Sequence, residues 1–474
     1  MERVAKIKNS FASSEGFVFR ELKSGKTRGE LIYNPDMTDS NLVFRIAEWF
    51  VESGKGKPTL EEIKRSCTFI AEAMVVFDKS DVLDGILGGD ACLIVDGIKG
   101  YLMLNVRRYD KRAVTEPPLS SVTHGPREGF IEDMKTNIGL LRRRIQSPSL
   151  AIKKLKIGKI TRTDVAIAYI SGIADERLIK RVEERLKSID VDGVLDIQYL
   201  QPYLEERPFS MFNQTGTTEK PDIVAAKILE GRIAVFLNGT PMVMTVPYLF
   251  IESVQSSADY YQRFTYATFL RLLRMVSLGF AILLPGVFIA LQKFHFTVLP
   301  LRFLMTLLVA INGIPFKSTT EVLFVIFLFE IIREAGKRTP QAVGMAMNIV
   351  GALVLGETAV RAGIVSSPAV MIVALSSLAL YAAPDEVSSS TPLRVIFTLL
   401  GGLGGIYLLL IGSVYLVQYL VTLNGYGAPY LAPFAPMIGK DLVRDGIVRG
   451  NYLNKRGKPQ SLFGRKKEGN FGKN

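Results

Sequence analysis

Two histidines and two cysteines in 474 residues leave this chain almost without the side chains that build transition-metal sites. His124 and His295 stand far apart in sequence, and Cys67 and Cys92 form no Cys-x-x-Cys pair, so no metal site is expected. Recognisable catalytic patterns are missing as well. The chain holds no His-Glu-x-x-His, no Gly-x-Ser-x-Gly and no nucleophile–base set. Gly25-Lys26-Thr27 has the look of a phosphate loop, but Arg20 stands where that loop needs its first glycine. The expectation is a protein that is not an enzyme and carries no cofactor. The opening Met-Glu-Arg-Val-Ala-Lys has no apolar run behind its charges, so no signal peptide is expected.

What is present is segregated. Mean hydropathy is +0.24, yet 22% of residues are charged. Both figures hold because charges recur every few residues up to about 270 and then thin out. Residues 275–292, 303–316, 339–356, 362–384 and 395–439 carry none. A membrane-crossing helix needs about 20 apolar residues. Spans are expected near 272–292, 298–316, 342–360, 366–383 and 393–423. The last is long enough to tilt or kink, and Gly401, Gly402, Gly404 and Gly405 permit close helix contact. The net charge of +13 then suits the phospholipid face of a cytoplasmic membrane and not nucleic acid. From Lys440 onward ten basic residues face three acidic ones, which places that tail, and with it the charged half, in the cytoplasm. There a disulfide is not expected, and both cysteines read as buried hydrophobes.

The stretch 318–336 does not fit a simple span. Its apolar core, Val322 to Phe329, is flanked by Glu321, Glu330, Arg333 and Glu334. A carboxylate facing lipid costs several kcal/mol, about 3 on insertion scales, so these groups must face protein, water or the interface. The helix is re-entrant, interfacial, or lines an aqueous cavity. If both ends are cytoplasmic the number of crossings is even: five clear spans with 318–336 as a sixth, or four with two re-entrant pieces. Gly344, Asn348, Ala352 and Gly356 recur at four-residue spacing, a small-residue stripe suited to tight packing or to the wall of a narrow pore. Glu357 and Arg361, four apart, are spaced to pair.

In the charged half, Ile86–Gly97 and Ile228–Gly239 align without gaps, with Asp96-Gly97 answering Asn238-Gly239. Each passage reads as helix end, glycine turn, buried strand and hairpin turn. Two similar α/β subdomains are expected, spanning 61–150 and 151–250, after a separate segment 1–60. A membrane bundle over 251–435 and a basic tail over 436–474 follow. In the second subdomain, Thr163–Tyr169 reads as a strand and Asp175–Ser188 as an amphipathic helix. Between the two lies a helix with Glu128, Glu132 and Asp133 early and Arg142, Arg143 and Arg144 late, matching its dipole. The three arginines suit either a solvated helix end or an interface with a second subunit or lipid headgroups.

The run Gly125-Pro-Arg-Glu-Gly-Phe130 with Asn137 and those arginines resembles the GerA-type spore germination proteins. So do Pro221-Asp222, Glu230-Gly-Arg232, Gly239-Thr-Pro241 and Pro247, the run Ser256–Arg263, Arg271 and Arg274. Arg333-Glu334, Gly336, Pro340, Gly344 and Ile349–Gly363 extend the likeness, which runs from about residue 75 to 440. The resemblance implies the A subunit of a nutrient germinant receptor, or its paralogue stage V sporulation protein AF, in the spore inner membrane. It implies partners too: an integral-membrane B subunit, a lipoprotein C subunit, and further copies of the chain in a ring, pentameric in the family picture, around a cation channel. The candidate pore groups are then Glu321, Glu330, Asn348 and Glu357, with Gly344–Gly356 as the constriction. A secondary transporter and a non-conducting scaffold are the alternatives.

Overall fold

A computed structural model of the chain describes residues 2–11, 16–25, 27–52, 60–68, 70–107, 125–338, 354, 356–450 and 461–462. The charged half runs along one path twice. Helix α1 (Glu2–Ser10) precedes the hairpin β1 (Val18–Ser24) and β2 (Thr27–Tyr33). Then come α2 (Ser40–Glu52), α3 (Leu60–Cys67), β3 (Ala73–Val76), α4 (Lys79–Leu87) and the hairpin β4 (Ala91–Val95) and β5 (Tyr101–Leu104). Helix α5 (Met134–Arg144) opens the second round. It leads to β6 (Leu150–Ile157), β7 (Thr163–Ile170), α6 (Glu176–Lys187), α7 (Gln201–Leu204), β8 (Gly216–Thr218), α8 (Pro221–Leu229), β9 (Ile233–Leu237) and β10 (Val243–Val246). The sheet orders, β1-β2-β4-β5-β3 and β6-β7-β9-β10-β8, are equivalent, and every neighbouring pair is antiparallel.

Helices cover both faces of each sheet, which is why β4 and β9 are buried throughout and read as unbroken apolar runs. One face of the first sheet packs on α2 and α3, through Val43, Ile46, Phe50 and Ile63. Its other face packs on α1 and α4, through Ile7, Val82 and Ile86. The second sheet repeats this with α6 on one side and α5 and α8 on the other. Gly97 and Gly239 close the two equivalent hairpins at φ +82° and +98°, where a side chain would be strained. Two similar subdomains are therefore present, and the first sheet reaches back to Val18. The residues before 61 supply two of its five strands. Helix α5 begins only at Met134, where the Asp133 carboxylate accepts from Thr136 N at 2.8 Å. Cys67 and Cys92 are free and buried, and burial pushes both thiols up to about 12.

The remaining helices are α9 (Phe264–Lys293), α10 (Leu301–Ile311), α11 (Ser318–Arg338), α12 (Ser367–Leu380), α13 (Val387–Thr422) and α14 (Gly439–Arg444). Phe264–Lys293 and Pro384–Thr422 are long and apolar enough to cross a bilayer, with hydropathies of 2.1 and 2.2. Only 39% and 33% of their most apolar windows are buried. That surface is apolar and uncovered, unlike the core helix of a soluble domain.

Helix α13 is not one kinked rod. Gly404 and Gly405 leave helical geometry, Gly405 at φ +62°. A Cβ placed on Gly412 would lie 2.7 Å from Leu400 Cδ1 and 3.5 Å from Phe397 Cε1. In a continuous helix residues 400 and 412 are about 18 Å apart. The chain therefore turns back, and arms 387–403 and 406–422 run side by side. This corrects the expected single span over 393–423: the glycines make a turn as well as a contact. The turn frees the Gly402 carbonyl, which accepts from Lys293 Nζ at 2.7 Å. Pro285 likewise has no N–H for the Ala281 carbonyl, and the Ser376 hydroxyl of α12 donates to it at 2.9 Å.

These contacts define two ends. At the near end, α9 and both arms of α13 meet the second subdomain. Asn213 donates to the Asp385 carbonyl, Arg207 to Thr422, and Ser210 bonds Tyr419. At the far end Lys293, Gly402 and Thr319 converge. Helix α11 starts there and returns to the near end, where Arg333 donates to Thr391. It is a continuous helix of 21 residues. Helix α12 also starts at the far end, since Ser366 N donates to Glu321. Helix α10, expected as a span over 298–316, has 11 residues, about 16 Å, and Lys293 before it and Thr319 after it both meet Gly402, so it does not run from one end to the other. It lies between far-end residues.

A close backbone approach joins α9 to the first arm of α13. A Cβ on Gly401 would stand 2.3 Å from the Gly286 carbonyl oxygen, whereas one on Gly279 meets nothing within 4 Å. Gly401→Ala is expected to lower the unfolding free energy by about 1–3 kcal/mol, because backbone must give way. Gly279→Ala should stabilise by about 0.5–1 kcal/mol through helix propensity. Equal unfolding midpoints for the two variants would remove the close approach.

Candidate functional site

The charged groups expected at the site fall into three environments. Glu321, 1% exposed, accepts from Ser366 N at 2.5 Å and so caps the far-end start of α12. Glu330 sits between Arg333, one turn along α11, and Arg394 of α13, whose Nη2 lies 2.5 Å away. Arg333 also donates to the Thr391 hydroxyl at 3.1 Å. Glu334 pairs with Arg338 at 2.9 Å, and Glu357 with Arg361 at 2.6 Å; all four are more than half exposed. Gly356 lies in contact range of Val370. Gly344, Asn348 and Ala352 lie outside the described residues.

Arg394 was not among the expected site residues. It is fully buried and binds three helices together: Glu330 on α11, Ser377 on α12 at 2.9 Å, and its own α13. It stands one residue before the charge-free run 395–439, so in sequence it reads as a flank.

A second group of buried charges ties the second subdomain to the base of α9. Glu252 lies in a 3-10 turn, Phe250–Val254. It accepts from Leu249 N at 2.7 Å, from Lys227 at 2.8 Å and from Arg232. Burial works to raise the Glu252 carboxyl, but Arg232 and Lys227 outweigh it and hold it below the usual range. Next in the chain, Asp259 is fully buried and binds Arg271 at 3.0 Å and Arg274 at 2.9 Å. Arg271 continues to Asp445 at 3.2 Å and to the Gly446 carbonyl at 2.8 Å. Arg449 donates to the Gln262 and Tyr260 carbonyls. The C-terminal segment is thus fastened to the start of α9. Among the described residues no group of three or more His, Cys, Asp and Glu side chains is placed to hold a metal ion.

Comparison with known proteins decides the family. Residues 5–461 match the family described as Bacillus/Clostridium GerA spore germination protein. The chain belongs to the GerA family. It is 34% identical to spore germination protein KA of Bacillus subtilis strain 168, over 97% of this chain and 86% of that one. It is 36% identical to the membrane protein YfkQ of the same organism, over 84% and 78%. A crystal structure of the N-terminal domain of the A subunit of the Bacillus megaterium spore germinant receptor GerK3 aligns with 29% identity. It covers 52% of this chain and 94% of that domain, with a TM-score of 0.41.

The motifs on which the GerA resemblance rests prove to be joints. Gly125 has φ +120°, and a Cβ there would stand 2.6 Å from the Tyr261 ring. Tyr261 in turn donates to Asp222 at 2.6 Å. Asn137 bonds both the N–H and the carbonyl of Ile131, at 2.8 and 2.6 Å. Phe130 packs edge-on against Phe236. Of the arginine cluster, Arg143 and Arg144 both meet Glu128, the latter at 2.8 Å. Arg142 is 2% exposed and lies over the Phe17 ring of the first subdomain, 4.7 Å from its centre. Burial draws its guanidinium down to about 10, against the pull of Asp36. It joins the two subdomains within one chain.

The Glu252 cluster has a pH signature. A carboxylate held below its unfolded value, about 4.3, stabilises the fold above that pH and ceases to as pH falls through the folded value. Wild type is therefore expected to exceed Glu252→Gln in thermal midpoint by a constant margin above about pH 5, and the margin should close in stronger acid. A margin independent of pH would show that Glu252 acts through packing.

Proposed function

We propose that this GerA-family chain is the A-type subunit of a nutrient germinant receptor, and that it spans the membrane six times with both ends on the cytoplasmic side. In this reading α9 leads outward, α11 returns, α12 returns after a further crossing, and the arms of α13 lead out and back. The chain works with B-type and C-type subunits and assembles with its own copies into a ring that conducts cations when nutrient binds a partner. One observation carries the reading: Glu357 and Arg361 are exposed between Val354 and Ile364, apolar residues that are exposed as well. Hydrocarbon does not tolerate such groups, so this surface must meet water or a neighbouring subunit. Glu321 and Glu330 are satisfied inside one chain and are assigned to the scaffold of the bundle. The conduction path is assigned to the segment carrying Gly344, Asn348, Ala352, Gly356, Glu357 and Arg361.

Glu357→Gln is expected to change the rate of nutrient-triggered cation release from reconstituted complexes while leaving their assembly intact. Unchanged release from complete complexes would take Glu357 out of the path. Electron microscopy of the oligomer should show a central opening lined by this segment. A non-conducting scaffold is the second reading, favoured by the pairing of Glu330 and Arg394 within a single chain. Closed oligomers under every activating condition would decide for it.

A further inference from the structure

The loop that joins α7 to β8 presents an apolar side chain that no described residue covers. Phe209 is 103% exposed and Met211 49%. The loop is braced. Gln214, itself buried, accepts from Arg207 N at 3.2 Å and donates to the Arg207 carbonyl at 2.9 Å, so it closes the loop's two ends. Ser210 N bonds the Arg207 carbonyl at 3.0 Å, and Phe212 N bonds the Ser210 hydroxyl at 3.1 Å. Phe212 turns inward toward Tyr419 and Tyr430, which leaves Phe209 as the ring held outside.

The position of the loop says what covers that ring. Ser210 Oγ is 3.0 Å from the Tyr419 hydroxyl, and Arg207 donates to Thr422 at 3.3 Å. The loop therefore lies against the last turn of α13, at the near end of an arm whose Val414, Tyr415 and Val421 are also exposed. An aromatic ring and an arginine held at the end of an apolar helix suit the boundary between acyl chains and headgroups. We infer that the Arg207–Met211 loop is an interfacial anchor, with Phe209 seated at the acyl–headgroup boundary of the near leaflet and Arg207 among its anionic headgroups. It would fix the height and tilt of the second subdomain against the bilayer. The inference rests on the reading of α13 as membrane-spanning.

Trp49 is the single tryptophan, so Trp49→Phe gives a silent background, checked by its thermal midpoint. Phe209→Trp or Tyr415→Trp is then introduced singly into the full chain. Each variant is reconstituted in phosphatidylcholine–phosphatidylglycerol vesicles containing lipids brominated at shallow or deep positions. The tryptophan at 209 should emit to the blue and lose intensity mainly to shallow bromines, and the one at 415 mainly to deep ones. Quenching at 415 but not at 209 overturns the anchor. A blue shift at 209 that ignores bromine and grows with protein density also overturns it, in favour of a second copy covering the loop. If neither position is quenched, the spanning reading fails and the anchor falls with it.

Discussion

Arg394→Ala is expected to cost about 3–5 kcal/mol of stability, the range found when one partner of a buried ion pair is removed. The guanidinium is fully buried and bonds Glu330 at 2.5 Å and Ser377 at 2.9 Å. Its loss leaves the Glu330 carboxylate with Arg333 alone and opens a void between α11, α12 and α13. Arg394→Lys should recover only part, because an ammonium cannot serve two helices in the planar geometry of the guanidinium. Joint replacement of Arg394 and Glu330 by leucine should fall much closer to wild type than Arg394→Ala, since no unpaired charge remains. Unfolding of the purified chain in mixed micelles, followed by circular dichroism, measures all three. A wild-type midpoint for Arg394→Ala would show that the pair holds nothing together.

Removing Asp259 should have a comparable effect at the base of α9. Its carboxylate is fully buried, receives Arg271 and Arg274, and also accepts from Ser256 N at 3.1 Å. Asp259→Ala leaves Arg271 to Asp445 and Arg274 to the Val254 carbonyl, with the buried carboxylate between them gone, and an effect of about 3 kcal/mol or more is expected. Asp445 is partly exposed, so Asp445→Asn should cost about 1.5–2 kcal/mol, the lower end for one hydrogen bond to a charged group. Both changes should speed proteolysis near residues 440–450, since Arg271 fastens that segment to α9. Equal losses from the two variants would mean that burial of Asp259 does not matter.

Charge segregation and turn chemistry carried much of the architecture. The short alignment of Ile86–Gly97 with Ile228–Gly239 reports a repeat that extends over whole sheets, because its glycine turns and unbroken apolar strands are what a sheet covered on both faces requires. The strands β1 and β2 were illegible for the opposite reason. Arg20, Glu21, Lys23, Arg28 and Glu30 interrupt them, and an edge hairpin can leave such residues in solvent. In the helical region the glycines Gly401–Gly405 announced close contact, but a tight helical turn and a kink carry the same composition. Only the position of Gly412 against Leu400 separates them.

By itself the sequence determined what depends on neighbours a few residues apart: which segments are apolar enough to leave water, where strands turn, and which charges of one helix can pair, as Glu357 and Arg361 do. The tertiary structure alone decided which buried charge meets which partner. Glu321 finds Ser366 across 45 positions, Arg394 finds Glu330 across 64, and Arg271 finds Asp445 across 174. A desolvated charge is stabilised by whatever the fold brings within hydrogen-bond reach, and no local pattern encodes that choice. The same holds for Phe209, whose exposure becomes informative only once its loop is seen at the foot of an apolar helix.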